Sequence, residues 1–413
     1  MKGLSPAIML LCLLILAFSS CGRTDEERMK ILKVYNWADY IDEQVLAGFP
    51  GWYKEQTGED IRLIYQTFDI NEIMLTKIER GHEDFDVACP SEYIIERMLR
   101  KGLLLPVSRN FGNTPDYTAN ISPFIQEQLN KVDRPVYGAA LYAVPYMWGT
   151  AGILYNKAFV PEKDAESWAC LWNPRYKGKI LMKDSYRDAY GVAVIHAHAK
   201  ELLEGSITVD QLMNDNSPQT MCLAEKYLKA LKPNIAGWEA DFGKEMMTKG
   251  KLWINVTWSG DAAWAIKEAG AVGVELAYVV PQEGSNVWFD GWVIPKYARN
   301  VKAAGYFINY LCQPEIAARN MDATGYATAV NIPGIHIDEA VRRCAVIHDF
   351  GNDTLRALEM WSRVKGDNLN SGILLLIFFV FGLLFIGAAI RHVRKYKQKQ
   401  RYKSKRKRWY KNK

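Results

Sequence analysis

Aromatic residues and carboxylates recur together along this chain where apolar runs end: Trp37 with Asp39 and Tyr40, Tyr186 with Asp188, Trp258 with Asp261, and Trp288 with Asp290. An aromatic face attracts an organic cation and covers its methylenes, while a carboxylate accepts from its ammonium end. Taken singly, each residue has an ordinary use. Trp37 and Tyr40 can cap a sheet edge, and Asp39 or Asp261 can start a helix. Recurrence of the pairing points instead to a site for an elongated organic cation. Cys89-Pro90-Ser91-Glu92-Tyr93 adds a hydroxyl and an aromatic at the end of a further apolar run, although Ser91 also reads as the N-cap of a helix Ile94 to Lys101. Arg187 stands between Asp184 and Asp188 and offers both an internal partner. His196 and His198 are two apart, hence on different helix faces, and no nucleophile–base pair or phosphate loop is present. No catalytic residue, metal ligand or cofactor is expected, and the chain reads as a binder rather than an enzyme.

These residues need an open α/β sheet, in which ligands sit beyond the carboxyl ends of the strands. Residues 31–36 read as a strand running into Trp37, and a helical stretch over 42–57 follows, interrupted at Pro50-Gly51. Strand Ile61 to Thr67, helix Asn71 to Arg80 and strand Asp84 to Ala88 complete a β-α-β-α-β order, which predicts a mostly parallel sheet. Residues 142–150 and 153–156 read as extended segments leaving a first lobe. A second lobe opens with strand Lys179 to Met182 and a helix through Ala199, and later holds strand Leu252 to Val256 and helix Ala262 to Glu268. Leu276 to Val280 leads back, and Trp288 to Ile294 enters a strand. A chain of 413 residues exceeds what one core normally holds. The expected division is a first part of lobe 1 over 30–143, lobe 2 over 144–275, and a return to lobe 1 over 276–365 with C-terminal helices spanning both lobes.

The two ends of the chain read as membrane signals. Residues 1–20 carry Lys2 and an apolar run from Ala7 to Phe18, twelve residues long, too short to span a bilayer and suited to an export signal. Ala17-Phe18-Ser19-Ser20-Cys21-Gly22 resembles a bacterial lipoprotein signal, in which Cys21 becomes the lipidated first residue. Five further cysteines, with no Cys-x-x-Cys pair, allow at most two disulfides. Residues 372–390 are nineteen residues without a charge, about 28 Å of helix at 1.5 Å per residue and enough for one transmembrane helix. The tail 391–413 holds thirteen Lys and Arg and no acid, which places it in the cytoplasm and the body outside. Because the whole chain carries only +6, everything before Arg391 sums to −7. A folded body of that sign favours cationic ligands and excludes nucleic acid as its partner.

Tyr35-Asn36-Trp37-Ala38-Asp39-Tyr40, Pro90-Ser91-Glu92-Tyr93, Val144-Pro145-Tyr146-Met147-Trp148-Gly149, Trp258-Ser259-Gly260-Asp261 and Pro281-Gln282-Glu283-Gly284 followed by Trp288-Phe289-Asp290 stand in this order along the chain. In order and spacing the set resembles the periplasmic spermidine/putrescine-binding proteins of ABC uptake systems, over about Ile31 to Lys365. The resemblance implies the type II periplasmic binding protein fold, α/β, with two lobes and a ligand cleft between them. It also implies a polyamine ligand and permease and ATPase partners at the periplasmic face of the bacterial inner membrane. By motif, Trp37, Asp39 and Tyr40 would box one end of the ligand with Ser91 and Tyr93 beside them. Trp258, Asp261, Trp288, Asp290 and Asp188 would bind from the other side and along the chain, and Tyr326 lies in a late segment near the cleft. Trp-x-Gly-Asp resembles the putrescine-preferring branch, while Ala38 and Ser185 depart from the pattern, so the choice between polyamines stays open. The transmembrane segment and basic tail also depart from the family, and leave a membrane-tethered polyamine sensor as the alternative to an uptake component.

Overall fold

The computed structural model describes residues 26–132, 138–240, 242–334 and 338–366. The export signal, Cys21, the apolar stretch 372–390 and the basic tail lie outside them. Among the described residues no helix is long and apolar enough to cross a membrane. The chain divides into a body, Met1–Leu358, and a second unit, Glu359–Lys413, of which the described part is the end of the helix Thr354–Gly366.

Among the described residues twelve strands run in chain order: β1 (Ile31–Trp37), β2 (Arg62–Phe68), β3 (Val87–Ala88), β4 (Leu104–Leu105), β5 (Ala143–Asn156), β6 (Ile180–Lys183), β7 (Ile235–Glu239), β8 (Ile254–Trp258), β9 (Leu276–Val279), β10 (Ser285–Pro295), β11 (Ala327–Thr328) and β12 (Cys344–Ala345). The main path is β2-β1-β3-β10-β5-β8-β6-β7. β1 pairs in parallel with both β2 and β3, as the alternating order of strands and helices predicts. The two segments expected over 142–156 are one strand, β5, buried along its whole length. Its first part pairs antiparallel with β10 as far as Thr150, and from Ala151 onward it pairs with β8. β5 therefore joins two hydrophobic clusters, with Val144, Tyr146 and Met147 in one and Leu154 in the other. One gathers Leu32, Val34, Phe49, Val87, Trp292 and Phe307, and the other Leu154, Leu181, Met247, Ala262 and Leu276. A mixed α/β chain with two cores is consistent with two lobes.

Local departures from the sequence reading have physical causes. Pro50-Gly51 does not interrupt the helix Glu43–Thr57. Proline removes one backbone donor there, and the buried Phe49 and Tyr53 on either side hold the turn against the core. The helix stops where Gly58 takes the left-handed conformation, φ 75°. β3 is shorter than expected because the residues before it serve as acceptors: Asp84 and Asp86 pair with Arg28, and Asp86 also takes the amides of Lys33, Arg299 and Asn300. All five cysteines among the described residues are free thiols.

Candidate ligand-binding site

Asp290 lies within β10, at the register shift between Asp290 and Gly291, and is 5% exposed. β1 ends at Trp37, and the turn after it brings the Tyr40 hydroxyl to donate to Asp290 Oδ2 at 2.7 Å. From the end of β3 the Ser91 hydroxyl donates to Asp290 Oδ1, also at 2.7 Å. Ser91 does occupy the N-cap position of the helix Glu92–Arg100, but its hydroxyl makes no cap bond because it is turned onto Asp290. Asn71 supports it, donating from Nδ2 to Ser91 Oγ at 3.0 Å and to the Tyr93 hydroxyl at 3.2 Å, while Tyr93 donates to Glu72. Burial pushes the Asp290 carboxyl up to about 6 against the pull of the Ser91 and Tyr40 hydroxyls. Trp37 Nε1 is near enough to help hold it down, yet it is buried without a hydrogen bond.

Two more acids share this neighbourhood. Glu92, 1% exposed, opens the helix after Ser91 and accepts from the Phe289 amide at 3.3 Å. Burial first, and then the charges of Asp290 and Asp188, push its carboxyl well above the usual range. Asp188 accepts from Asn286 Nδ2 at 2.8 Å. Arg187 is not its partner, in contrast to the sequence reading. The guanidinium donates to the Met213 and His348 carbonyls and to Asn214, and lies 3.6 Å from the Phe350 ring centroid. Among the described residues no Lys or Arg forms an ion pair with Asp290, Glu92 or Asp188.

A chain of rings runs beside the acids. Tyr40 meets Tyr326 at 5.2 Å between centroids, Tyr326 meets Trp288 at 5.5 Å, and Trp288 meets Trp258 at 6.2 Å, each near edge-to-face. Two glycines permit this packing. A Cβ on Gly260 would strike the Tyr326 ring, and one on Gly149 would come within 2.7 Å of the Trp288 ring. The Trp288 indole N–H is buried without a partner, an unpaid donor of the kind a bound molecule can satisfy.

Asp261 is brought to the same ring chain but arrives already paired. It sits in the first turn of the helix Ser259–Ala271, accepting from Tyr326 Oη at 2.7 Å and from Lys183 Nζ at 2.9 Å. Burial works to raise its carboxyl, but Lys183 and the Tyr326 hydroxyl outweigh it and hold Asp261 below the usual range. The structure thus brings together Trp37, Tyr40, Ser91, Tyr93, Asp188, Trp258, Asp261, Trp288, Asp290 and Tyr326. Asp39 is not drawn in: it is exposed, on left-handed backbone with φ 50°. Sequence reasoning missed Glu92, Asn71 and Lys183. An acid between Ser91 and Tyr93 was the available signal for Glu92, and it was absorbed by its ordinary role in a helix first turn.

Asp290 is thus a buried carboxylate that accepts from two hydroxyls, has aromatic rings beside it and pairs with no Lys or Arg among the described residues. Residues 52–331 match the family of bacterial extracellular solute-binding proteins. The chain belongs to that family, whose members are transport components rather than enzymes, as the resemblance read from the sequence implies. Among its relatives, the spermidine/putrescine-binding periplasmic protein of Escherichia coli (strain K12) is 30% identical over 298 residues, 72% of this chain and 77% of that one. A putrescine-binding periplasmic protein of Pseudomonas aeruginosa is 27% identical over 373 residues, 85% of this chain and 96% of that one. The solved structure of a putative spermidine/putrescine ABC transporter from Listeria monocytogenes superposes with TM-score 0.66 at 32% identity, covering 81% of this chain and 99% of that one. The spermidine/putrescine ABC transporter substrate-binding protein of Streptococcus pneumoniae gives TM-score 0.63, also at 32% identity, over 81% of this chain and 98% of that one.

Proposed function

We propose that this chain captures a polyamine outside the cytoplasmic membrane and presents it to the permease of an ATP-driven uptake system. The observation that carries the reading is Asp290, a buried carboxylate fixed by two hydroxyls and left without a cation. A diamine at neutral pH is a flexible dication whose ammonium ends need acceptors and whose methylenes need apolar cover. Asp290, Glu92 and Asp188 offer the acceptors, with Tyr40, Ser91 and Tyr93 at their side. Trp37, Trp288 and Tyr326 offer the cover. The names of the relatives support the ligand class, and the negative charge of the body agrees with it.

In this reading the chain is a type II binding protein whose lobes, 30–143 with 276–365 and 144–275, close on the ligand across a cleft. Each charge-assisted hydrogen bond contributes about 1.5–3 kcal/mol and each cation–π contact about 0.5–2 kcal/mol, much of it offset by desolvation and ordering. Groups from both lobes must therefore meet on one ligand for tight binding, which is what closure supplies. The apolar stretch 372–390, the basic tail 391–413 and lipidation at Cys21 would tether the body at the periplasmic face. Thermal melts of the full chain test the ligand class. Putrescine or spermidine at millimolar concentration is expected to raise the melting temperature where glucose and glutamate do not, and equal shifts with all four overturn the reading.

A further inference from the structure

The Asp261 end of the ring chain holds a cation of the chain's own. Lys183 is the last residue of β6 and is 2% exposed. Its ammonium donates to the Ala240 carbonyl and to Asp261 Oδ2, both at 2.9 Å, and lies 3.2 Å from Glu239 Oε1. An ammonium has three donors, and here each has an acceptor. The same nitrogen stands 4.1 Å from the centroid of the Trp258 ring. Two carboxylates, a carbonyl and an indole face are the groups that would receive a ligand ammonium, and all of them are engaged. Asp290 is the opposite case: equally buried, held by neutral hydroxyls, and with no cation among the described residues.

We infer that Lys183 is a resident ammonium filling the Trp258–Asp261 seat, so that ligand ammonium groups are received only on the Asp290 side, and that Lys183 thereby sets which polyamines the chain accepts. The inference rests on the polyamine reading above. It turns Trp258 and Asp261 from ligand contacts into a wall, and it gives the ligand room for charge near Asp290, Glu92 and Asp188 and none beyond Tyr326. A longer polyamine carries an additional ammonium that finds no free carboxylate at this end.

Removing Lys183 alone would leave Glu239 and Asp261 buried without a counter-ion. The variant Lys183→Met with Glu239→Gln keeps the net charge of the trio and frees Asp261. Calorimetric titration of the full chain in detergent with putrescine and with spermidine is expected to show the spermidine-to-putrescine affinity ratio rising by about tenfold or more in the variant, the worth of one charge-assisted contact. A ratio unchanged within about twofold in a variant that still melts cooperatively overturns the inference, since one such contact is worth more than that. Should the variant not fold, the wild-type chain crystallised with putrescine decides. Lys183 Nζ still bonded to Asp261, with every ligand nitrogen out of hydrogen-bond reach of that carboxylate, is the expected result, and a ligand nitrogen on Asp261 overturns it. If the wild-type chain binds neither amine, the polyamine reading itself falls and the inference with it, a result distinct from binding with an unchanged ratio.

Discussion

Tyr40 and Asp290 are 250 positions apart in the chain, yet the phenol donates to the carboxylate at 2.7 Å, with both groups buried. The bond joins the turn after β1 to the middle of β10, and Ser91 holds the second oxygen from the end of β3. Three elements thus fix one acid in place before any ligand arrives, which lowers the ordering cost of binding. Asp290→Asn keeps the shape and removes the charge. Putrescine affinity is expected to fall by about a hundredfold, as when one partner of a buried charge pair is lost. The melting temperature of the free chain at pH 7 is expected to hold or rise, because the buried charge is gone. Titration calorimetry and thermal melts read the two effects separately.

Acid should weaken binding. Burial raises the Asp290 carboxyl from its ordinary 3.8 to about 6, so in the free chain it is protonated at pH 5, whereas a bound ammonium requires the carboxylate. Affinity is expected to fall about tenfold per pH unit well below 6, with about half a proton released on binding at pH 6 and close to one at pH 5. Titrations in buffers of different ionisation enthalpy count that proton. The stability of the free chain runs the other way. A carboxyl with a raised folded-state value contributes stability that is full below 3.8 and is lost as pH rises through about 6. Asp290→Asn removes that portion of the pH dependence.

Gly260→Ala places a methyl group against the Tyr326 ring. Alanine is the better helix former, so the helix Ser259–Ala271 itself gains, and any loss of function comes from displacing Tyr326 and through it the hydrogen bond to Asp261. Polyamine affinity is expected to drop about tenfold or more, as a displaced aromatic and its hydrogen bond imply. Helical circular dichroism unchanged alongside that drop separates ring displacement from unfolding.

Trp288 carries both a ring in the chain and an unpartnered buried N–H. Trp288→Phe keeps a ring and removes the N–H, and a loss of about threefold to tenfold in affinity is expected, in line with one modest hydrogen bond. Trp288→Ala removes both and opens a cavity, costing stability by about 3–5 kcal/mol as well as binding. Ligand-induced change in tryptophan fluorescence, compared between the two variants, checks the ordering.

Asp349 anchors the helix Glu92–Arg100 through its arginines. It is buried, accepts from Arg97 at Nε and Nη2, and pairs with Arg100. Asp349→Asn leaves Arg97 largely buried without its counter-charge, and a stability loss of about 3–5 kcal/mol is expected. Urea unfolding followed by far-ultraviolet circular dichroism measures it.

Much of the site was legible because its parts lie in short motifs at strand ends. The parallel β-α-β order, Tyr40 after β1 and Ser91 after β3 followed from periodicity and turn chemistry, whereas Asp290, expected where the chain enters a strand, lies in the middle of β10. What the sequence concealed was pairing between distant residues. Lys183 stands in Lys183-Asp184-Ser185-Tyr186-Arg187-Asp188, where charges of both signs alternate, and nothing local says which of them turns inward. Strand alternation held the one clue: Lys183 shares a face with Leu181, a core residue of the second hydrophobic cluster. Lysine is so seldom buried that burial habits argued against it. Arg187 misled for the same reason, since its acceptors are the backbone carbonyls of Met213 and His348 rather than the acids beside it. Asp39 shares its motif with Trp37 and Tyr40, but its left-handed backbone leaves it exposed.

Titration of the full-length chain in detergent with putrescine and spermidine, at pH 7.5 and low salt, bears most directly on the idea that buried acids and rings here receive a polyammonium ion. One site per chain is expected, with a dissociation constant of about 1 μM or tighter for at least one of the two amines, and with that binding weakened about a hundredfold by Asp290→Asn. No heat, and no change in melting temperature, with either amine at about 1 mM would contradict it, because such a ligand would then gain less than roughly 4 kcal/mol from the site.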